Sequence, residues 1–381
     1  MRTVVDHLCQ LIRIPSPSAV SNRPLVDYAA ASLRALGWSA RELPYRDPAG
    51  VEKVNLVAAP PDQDVDARDV DLVFMCHTDT VPFASDWQGA LKPGFDVGML
   101  HGCGACDVKS VLACLLSAAA QTDTFLEGLR IVLTAEEEIG CIGAARLFDQ
   151  GVIHPRRMVI GEPTSLHPAR AGKGYCLAEV RVFGKEAHSA HPGQGVSAIF
   201  HAARLIRAIQ DLSASLAVER HEFFDPAWTT INIGTIEGGT AKNIVPGLCQ
   251  FQLEWRPIPG QPPDRVLSEV TQIIAQSQRV DSDFRAEVKL LRQQPGFESP
   301  SGASLVTRLT SLTGRAAVSI PFGSEASIFA PIAEEIVVFG PGDMRTAHSS
   351  RECVPLAELE EAVRCVRTLM SPAGVAAKDE G

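Results

Sequence analysis

The chain has 381 residues, 45% of them apolar and 21% charged, which excludes a mainly disordered state and is enough for two or three domains. A formal net charge of −10 argues against nucleic acid and anionic membrane surfaces as partners. No apolar run approaches the roughly 18 residues of a membrane span, and Asp6, His7 and Arg13 stand where a secretion signal would be apolar, so a cytoplasmic protein is expected.

Val4, Leu8, Leu11 and Ile12 recur at helical spacing until Pro15 and Pro17 stop the run. A second helix has Pro24 in its first turn, Leu25, Ala29 and Leu33 on one face, and Gly37 as its stop. Short apolar runs follow at residues 55–59, 70–76, 129–133, 158–160 and 336–339. Separated by helical stretches, they predict buried strands of a mixed, mostly parallel sheet flanked by helices, an α/β architecture. Residues 107–120 (DVKSVLACLLSAAA) predict one buried helix.

From Cys176 onward the rhythm changes. Strands are expected at 177–183, 229–235, 248–256 and 284–291, with helices over 196–216 and around Val266, Val270 and Ile273. That order, β-α-β-β-α-β, predicts an inserted ferredoxin-like domain over residues 176–293. The first domain is then formed by residues 1–175 and 294–381, with a tail, 371–381, expected to fray. Ten cysteines are scattered through apolar segments, so reduced thiols are expected. Cys103 and Cys106 form a lone CxxC, a weak metal or redox signal without a second pair. HGCGAC (101–106) lacks GxGxxG and Walker spacing, which argues against a phosphate loop.

Several predicted strands run directly into metal-capable residues. VFMC precedes His77 and Asp79, IVLTA precedes Glu136, Glu137 and Glu138, MVIG precedes Glu162, and VVFGPG leads to a loop with His348. Ligands of open α/β sheets collect beyond the carboxyl ends of the strands. Asp107 is expected at the start of the 107–120 helix, where the dipole favours a carboxylate. Two histidines and several carboxylates suit zinc or a similar divalent ion, and two ions if one carboxylate bridges. A bridged pair lowers the pKa of a shared water towards ~7. Three consecutive glutamates alone would be a solvated acidic loop, but their place after a buried strand reverses that reading. Adjacent residues in an extended segment point apart, so one of Glu137 and Glu138 can bind metal while the other faces water as general base. Asp79, two residues from His77, is placed to take the ring's other N–H. His7, His154, His201 and His221 read as surface or core filler. His188 and His191 lack the setting of a zinc helix. Arg256 ends an apolar strand and could simply pair with a nearby acid.

Seven motifs then occur in order: HTDTVP (77–82), GACDVK (104–109), TAEEEIG (134–140), GEPT (161–164), GKEAHSAHP (184–192), NIVP (243–246) with WRPIPG (255–260), and GPG followed by AH (340–348). Together they resemble the M20 metallopeptidase and deacylase family, from the first helix to about Pro355. The resemblance implies that His77 and Glu162 hold one metal, Glu138 and His348 the other, and Asp107 bridges them. It implies two divalent ions, Zn2+ or else Co2+. Asp79 would orient His77 and Glu137 would be the general acid and base. His188 would stabilise the oxyanion from the partner subunit of a homodimer formed through the inserted domain, which would also act as a lid. Asn243 and Arg256 would bind a substrate carboxylate.

Within the family, GEPTSLHPARAGKG (161–174), GSEAS (323–327) and WRPIPG resemble the acetylornithine deacetylase branch. This implies removal of the acetyl group from N2-acetyl-L-ornithine, with Glu325 meeting the distal ammonium. The alternative is another M20 deacylase or peptidase: a succinyl-diaminopimelate desuccinylase, an aminoacylase or a dipeptidase. Two stretches depart from the family pattern: GCGACDVK around Asp107, and Ser349-Ser350-Arg351-Glu352 where a Pro-Asp-Glu type turn is usual. Neither removes a ligand.

Overall fold

A computed structural model describes residues 2–372, so the expectation for the tail falls largely outside the described residues. The chain divides into two compact units. One comprises Met1–Ala171, Glu298–Val318 and Ser324–Gly381; the other comprises Gly172–Phe297 and Ser319–Gly323. Among the described residues no helix is long and apolar enough to cross a membrane.

The first unit is built on a mixed sheet. Its neighbouring strands run Ser39–Arg46, Glu52–Ala59, Leu129–Thr134, Asp69–His77, His154–Ile160, Glu335–Val338 and Ala169–Gly172. The strand Asp69–His77 pairs in parallel with Leu129–Thr134 and His154–Ile160, and Glu335–Val338 continues the parallel set. These four strands therefore end at one edge. They end in apolar runs because both faces are covered there; every residue of Leu129–Thr134 is buried, Arg130 included. Ser39–Arg46 is antiparallel to Glu52–Ala59, which is itself antiparallel to Leu129–Thr134. Sequence reading missed this first strand, whose intermediate and exposed positions give no apolar run.

Helix Val4–Arg13 begins at a capping box in which Thr3 and Asp6 bond each other's main-chain N–H. The central helix is Lys109–Ala119, with every residue buried. It starts two residues later than the sequence suggested, leaving Asp107 in the preceding loop with Val108 as the N-cap. A hairpin, Gly94–Asp96 and Met99–His101, pairs with Cys353–Pro355 just before the last helix, Leu356–Met370.

The second unit carries a four-stranded antiparallel sheet in the order Thr230–Gly238, Leu248–Arg256, Tyr175–Phe183, Arg285–Gln294. Alternate residues of Tyr175–Phe183 are buried, the pattern of a sheet covered on one face. Its core joins Val180, Phe251 and Trp255 to Leu205 and Ile209 of helix Ala198–Leu216 and to Val270 of helix Arg265–Val280.

Candidate metal centre

Strand register explains why residues so far apart in sequence converge. His77 and Thr134, the last residues of adjacent parallel strands, are register partners. Met75 faces Ile160, so Glu162 reaches the level of His77. Ile160 also faces Val338, whose strand leads into the loop bearing His348. His77 Nε2 lies 3.0 Å from Asp107 Oδ1 and 3.9 Å from Glu162 Oε1. His348 Nε2 lies 3.2 Å from both Asp107 Oδ2 and Glu138 Oε1. Asp107 thus turns one carboxylate oxygen towards each imidazole.

The three glutamates separate. Glu136, at a left-handed φ of 62°, is buried and accepts the Tyr45 hydroxyl at 2.8 Å. Glu137 gathers with His77 and Glu162, while Glu138 gathers with His77 and Asp107; within each group the ligand atoms lie within 4.8 Å of one another. His348 is likewise left-handed, with φ 56°, a conformation that costs a non-glycine residue energy and concentrates at functional sites.

The Asp79 carboxylate is not the main partner of the His77 ring. Nδ1 meets the Asp79 main-chain carbonyl at 3.0 Å, with the carboxylate 3.7 Å away. That carboxylate instead accepts the Glu137 and Glu138 N–H groups and the Ser18 hydroxyl. Sequence reading also passed over Glu352. Its signal was a carboxylate four residues after His348; in the structure it binds the loop that carries Asp107.

Burial dominates the electrostatics. It pushes the Glu137 carboxyl up to about 7. It pushes Glu162 well above the usual range, with the charge of Asp107 adding to the effect. Burial would raise Asp107 too, but hydrogen bonds from His348 and His77 prevail and hold it below the usual carboxylate range. Hydrogen bonds to Asp107 and Glu138 raise His348 to about 10.

Four carboxylates face two imidazoles here, and among the described residues no lysine or arginine forms an ion pair with Asp107, Glu138 or Glu162. Like charges 4 Å apart repel by about 4 kcal/mol at the effective dielectric constant of a protein. Two imidazoles and four carboxylates gathered this closely are the donors of a divalent cation site. His77, Asp107, Glu138, Glu162 and His348 fit two such ions.

The remaining expected residues lie elsewhere. His188 and Asn243 come together in the second unit. His188 bridges Ile244, Ser189 N–H donates to the Asn243 carbonyl at 3.0 Å, and both side chains are exposed. Arg256 ends its strand with its guanidinium 4.3 Å from the Tyr175 ring centroid and its Nε donating to Glu254. Glu325 is 0% exposed, and burial pushes its carboxyl up to about 8.

Comparison with known proteins bears on this arrangement. Residues 73–371 match Peptidase family M20/M25/M40. The chain is 43% identical over 363 residues to an acetylornithine deacetylase of Myxococcus xanthus, covering 95% of this chain and 94% of that protein. It is 31% identical to an acetylornithine deacetylase of Proteus mirabilis, over 94% and 93% of the two chains. The crystal structure of aminopeptidase PepT from Bacillus cereus shares the fold at a TM-score of 0.76, with 22% identity and 98% coverage of each chain. A family match over most of the chain, with near-full-length relatives, establishes that this protein belongs to Peptidase family M20/M25/M40.

Proposed function

We propose that the protein is a metal-dependent amidohydrolase that removes the acetyl group from N2-acetyl-L-ornithine, giving L-ornithine and acetate in arginine biosynthesis. The observation that carries the chemistry is the convergence of His77, Asp107, Glu138, Glu162 and His348 around Asp107. The choice of substrate rests on relatives named acetylornithine deacetylase that align over nearly the whole chain.

His77 and Glu162 would hold one ion, Glu138 and His348 the other, and Asp107 both. Imidazole donors favour Zn2+, with Co2+ an alternative. When bound, the pair lowers the pKa of a shared water and polarises the amide carbonyl. Glu137 then removes the water's proton and delivers it to the nitrogen of ornithine as the C–N bond breaks and a C–O bond forms. A carboxyl near 7 can both accept and return a proton at neutral pH. Asp79 fixes the His77 ring and the main chain of Glu137 and Glu138. His188 donates a hydrogen bond to the oxyanion, and Asn243 with Arg256 grips the α-carboxylate.

The active form in this proposal is a homodimer, with His188 supplied across the two copies. Support comes from the edge strand Thr230–Gly238 of the second unit, where Ile236 is 54% exposed, and from Phe200 nearby at 74%. An unpaired edge beside exposed apolar side chains favours pairing with a second copy. A cytoplasmic setting accords with the ten free cysteines.

The test is turnover by the purified full chain with Zn2+ or Co2+ on N2-acetylornithine, N-succinyl-diaminopimelate and a dipeptide. Acetate release from the first, in excess over the other two, is the expected result. Preference for either other substrate overturns the substrate assignment, and no hydrolysis of any overturns the reaction.

A further inference from the structure

Glu352 stands four residues beyond His348 and is 3% exposed. Its Oε1 accepts the main-chain N–H groups of Cys106 and Asp107, and its Oε2 accepts that of Gly104, all at 3.0 Å. The segments are otherwise tied. Cys353–Pro355 pairs antiparallel with Met99–His101, Gly102 N–H donates to the Glu352 carbonyl at 3.3 Å, and Glu352 N–H donates to the Ser349 carbonyl at 3.0 Å. The 104–107 loop is shaped to this grip. Gly104 has a φ of +76°, and a Cβ there would lie 2.8 Å from the Lys109 side chain. One carboxylate therefore joins the loop bearing His348 to the loop bearing Asp107 at the Asp107 main chain, while the Asp107 carboxylate reaches His77 at 3.0 Å and His348 at 3.2 Å.

We propose that Glu352 is a positioning residue. By holding three main-chain N–H groups of the 104–107 loop it sets where Asp107 stands relative to His348, and hence the geometry offered to the two cations. This inference rests on the metal-centre proposal above. The grip needs a carboxylate. Three N–H donors converge on two acceptor oxygens, and an amide would turn an NH2 donor against one of them. Removing a partner that orients a metal ligand typically costs about tenfold to a hundredfold in metal affinity.

The experiment uses the full chain and its E352Q and E352A variants. Zn2+ affinity is measured by competition with a chromophoric chelator, the Co2+-loaded protein by visible absorption, and the metal-free protein by thermal melting. For E352Q the expected result is a loss of about tenfold to a hundredfold in metal affinity and an altered cobalt spectrum, with metal-free melting close to wild type. Wild-type affinity and an unchanged cobalt spectrum in E352Q overturn the inference, even if the melting temperature falls. Should E352A not fold, E352Q decides alone. A wild-type chain that takes up neither ion overturns the metal centre and this inference together, so the two failures are distinguishable.

Discussion

The main-chain carbonyl of Asp79, and not its carboxylate, meets the ring of His77, at 3.0 Å against 3.7 Å. A carbonyl can only accept, so Nδ1 carries a proton, and the ring held this way turns Nε2 towards Asp107 at 3.0 Å and Glu162 at 3.9 Å. The freed carboxylate accepts the Glu137 N–H at 3.0 Å, the Glu138 N–H at 3.3 Å and the Ser18 hydroxyl at 2.6 Å. A single residue thus orients the ring of one expected ligand and the loop carrying another.

Asp79→Ala is therefore expected to lower both metal occupancy and turnover, by about tenfold to a hundredfold, while leaving the imidazole's main-chain contact possible. Asp79→Asn retains one acceptor oxygen and should lose less. Metal analysis beside steady-state kinetics checks this; equal activity in Asp79→Ala and wild type contradicts it.

Glu137→Gln keeps the side chain's size but cannot carry a proton between water and amine. Turnover should fall by about 10²–10⁴-fold, with two ions still bound per chain. Near-normal kcat in a fully loaded variant removes Glu137 from the chemistry.

Arg256→Ala should act on kcat/KM far more than on kcat. A hydrogen-bonded charge pair contributes roughly 1.5–3 kcal/mol, so a fall of roughly tenfold to a hundredfold is expected. Arg256→Lys should not fully rescue, because an ammonium lacks the planar fork that matches a carboxylate. A substrate analogue with its carboxylate replaced by an amide should lose the difference between wild type and Arg256→Ala.

Chelation should destabilise the first unit, because its clustered carboxylates would then face one another without cations. Ions present at a hundred times their dissociation constant contribute about 2.7 kcal/mol of stability. Thermal melting with and without chelator measures this, and restored zinc should restore both melting temperature and activity. An unchanged melting temperature on complete metal removal counts against the site.

Lys173 gives the second unit a pH dependence of its own. It is 2% exposed, donates to the Trp228 carbonyl at 2.6 Å, and is lowered to about 8 by burial and then by the charge of Arg256, against 10.5 ordinarily. Between those values the folded chain has released a proton that the unfolded chain still holds, so stability rises with pH. Denaturant unfolding should show Lys173→Met gaining less than wild type between pH 8 and 10; parallel curves exclude the effect.

The sequence by itself determined the parallel strands of the sheet, though not its edge strand Ser39–Arg46, and where metal-capable residues follow them. The strands ending at His77, Thr134, Ile160 and Val338 are apolar because both faces are covered, and the donors follow them because parallel strands finish at a common edge. Burial leaves its mark on local composition, so these features can be read one segment at a time. Only the tertiary structure decided which polar group meets which: the Asp79 carbonyl on His77, Glu136 turned to Tyr45, and Glu325 sealed from solvent. The Glu352 carboxylate on the Asp107 main chain, 245 residues away, belongs with them. Hydrogen bonds between distant loops depend on how those loops fold back over the sheet edge, and they leave no periodicity in the chain to announce them.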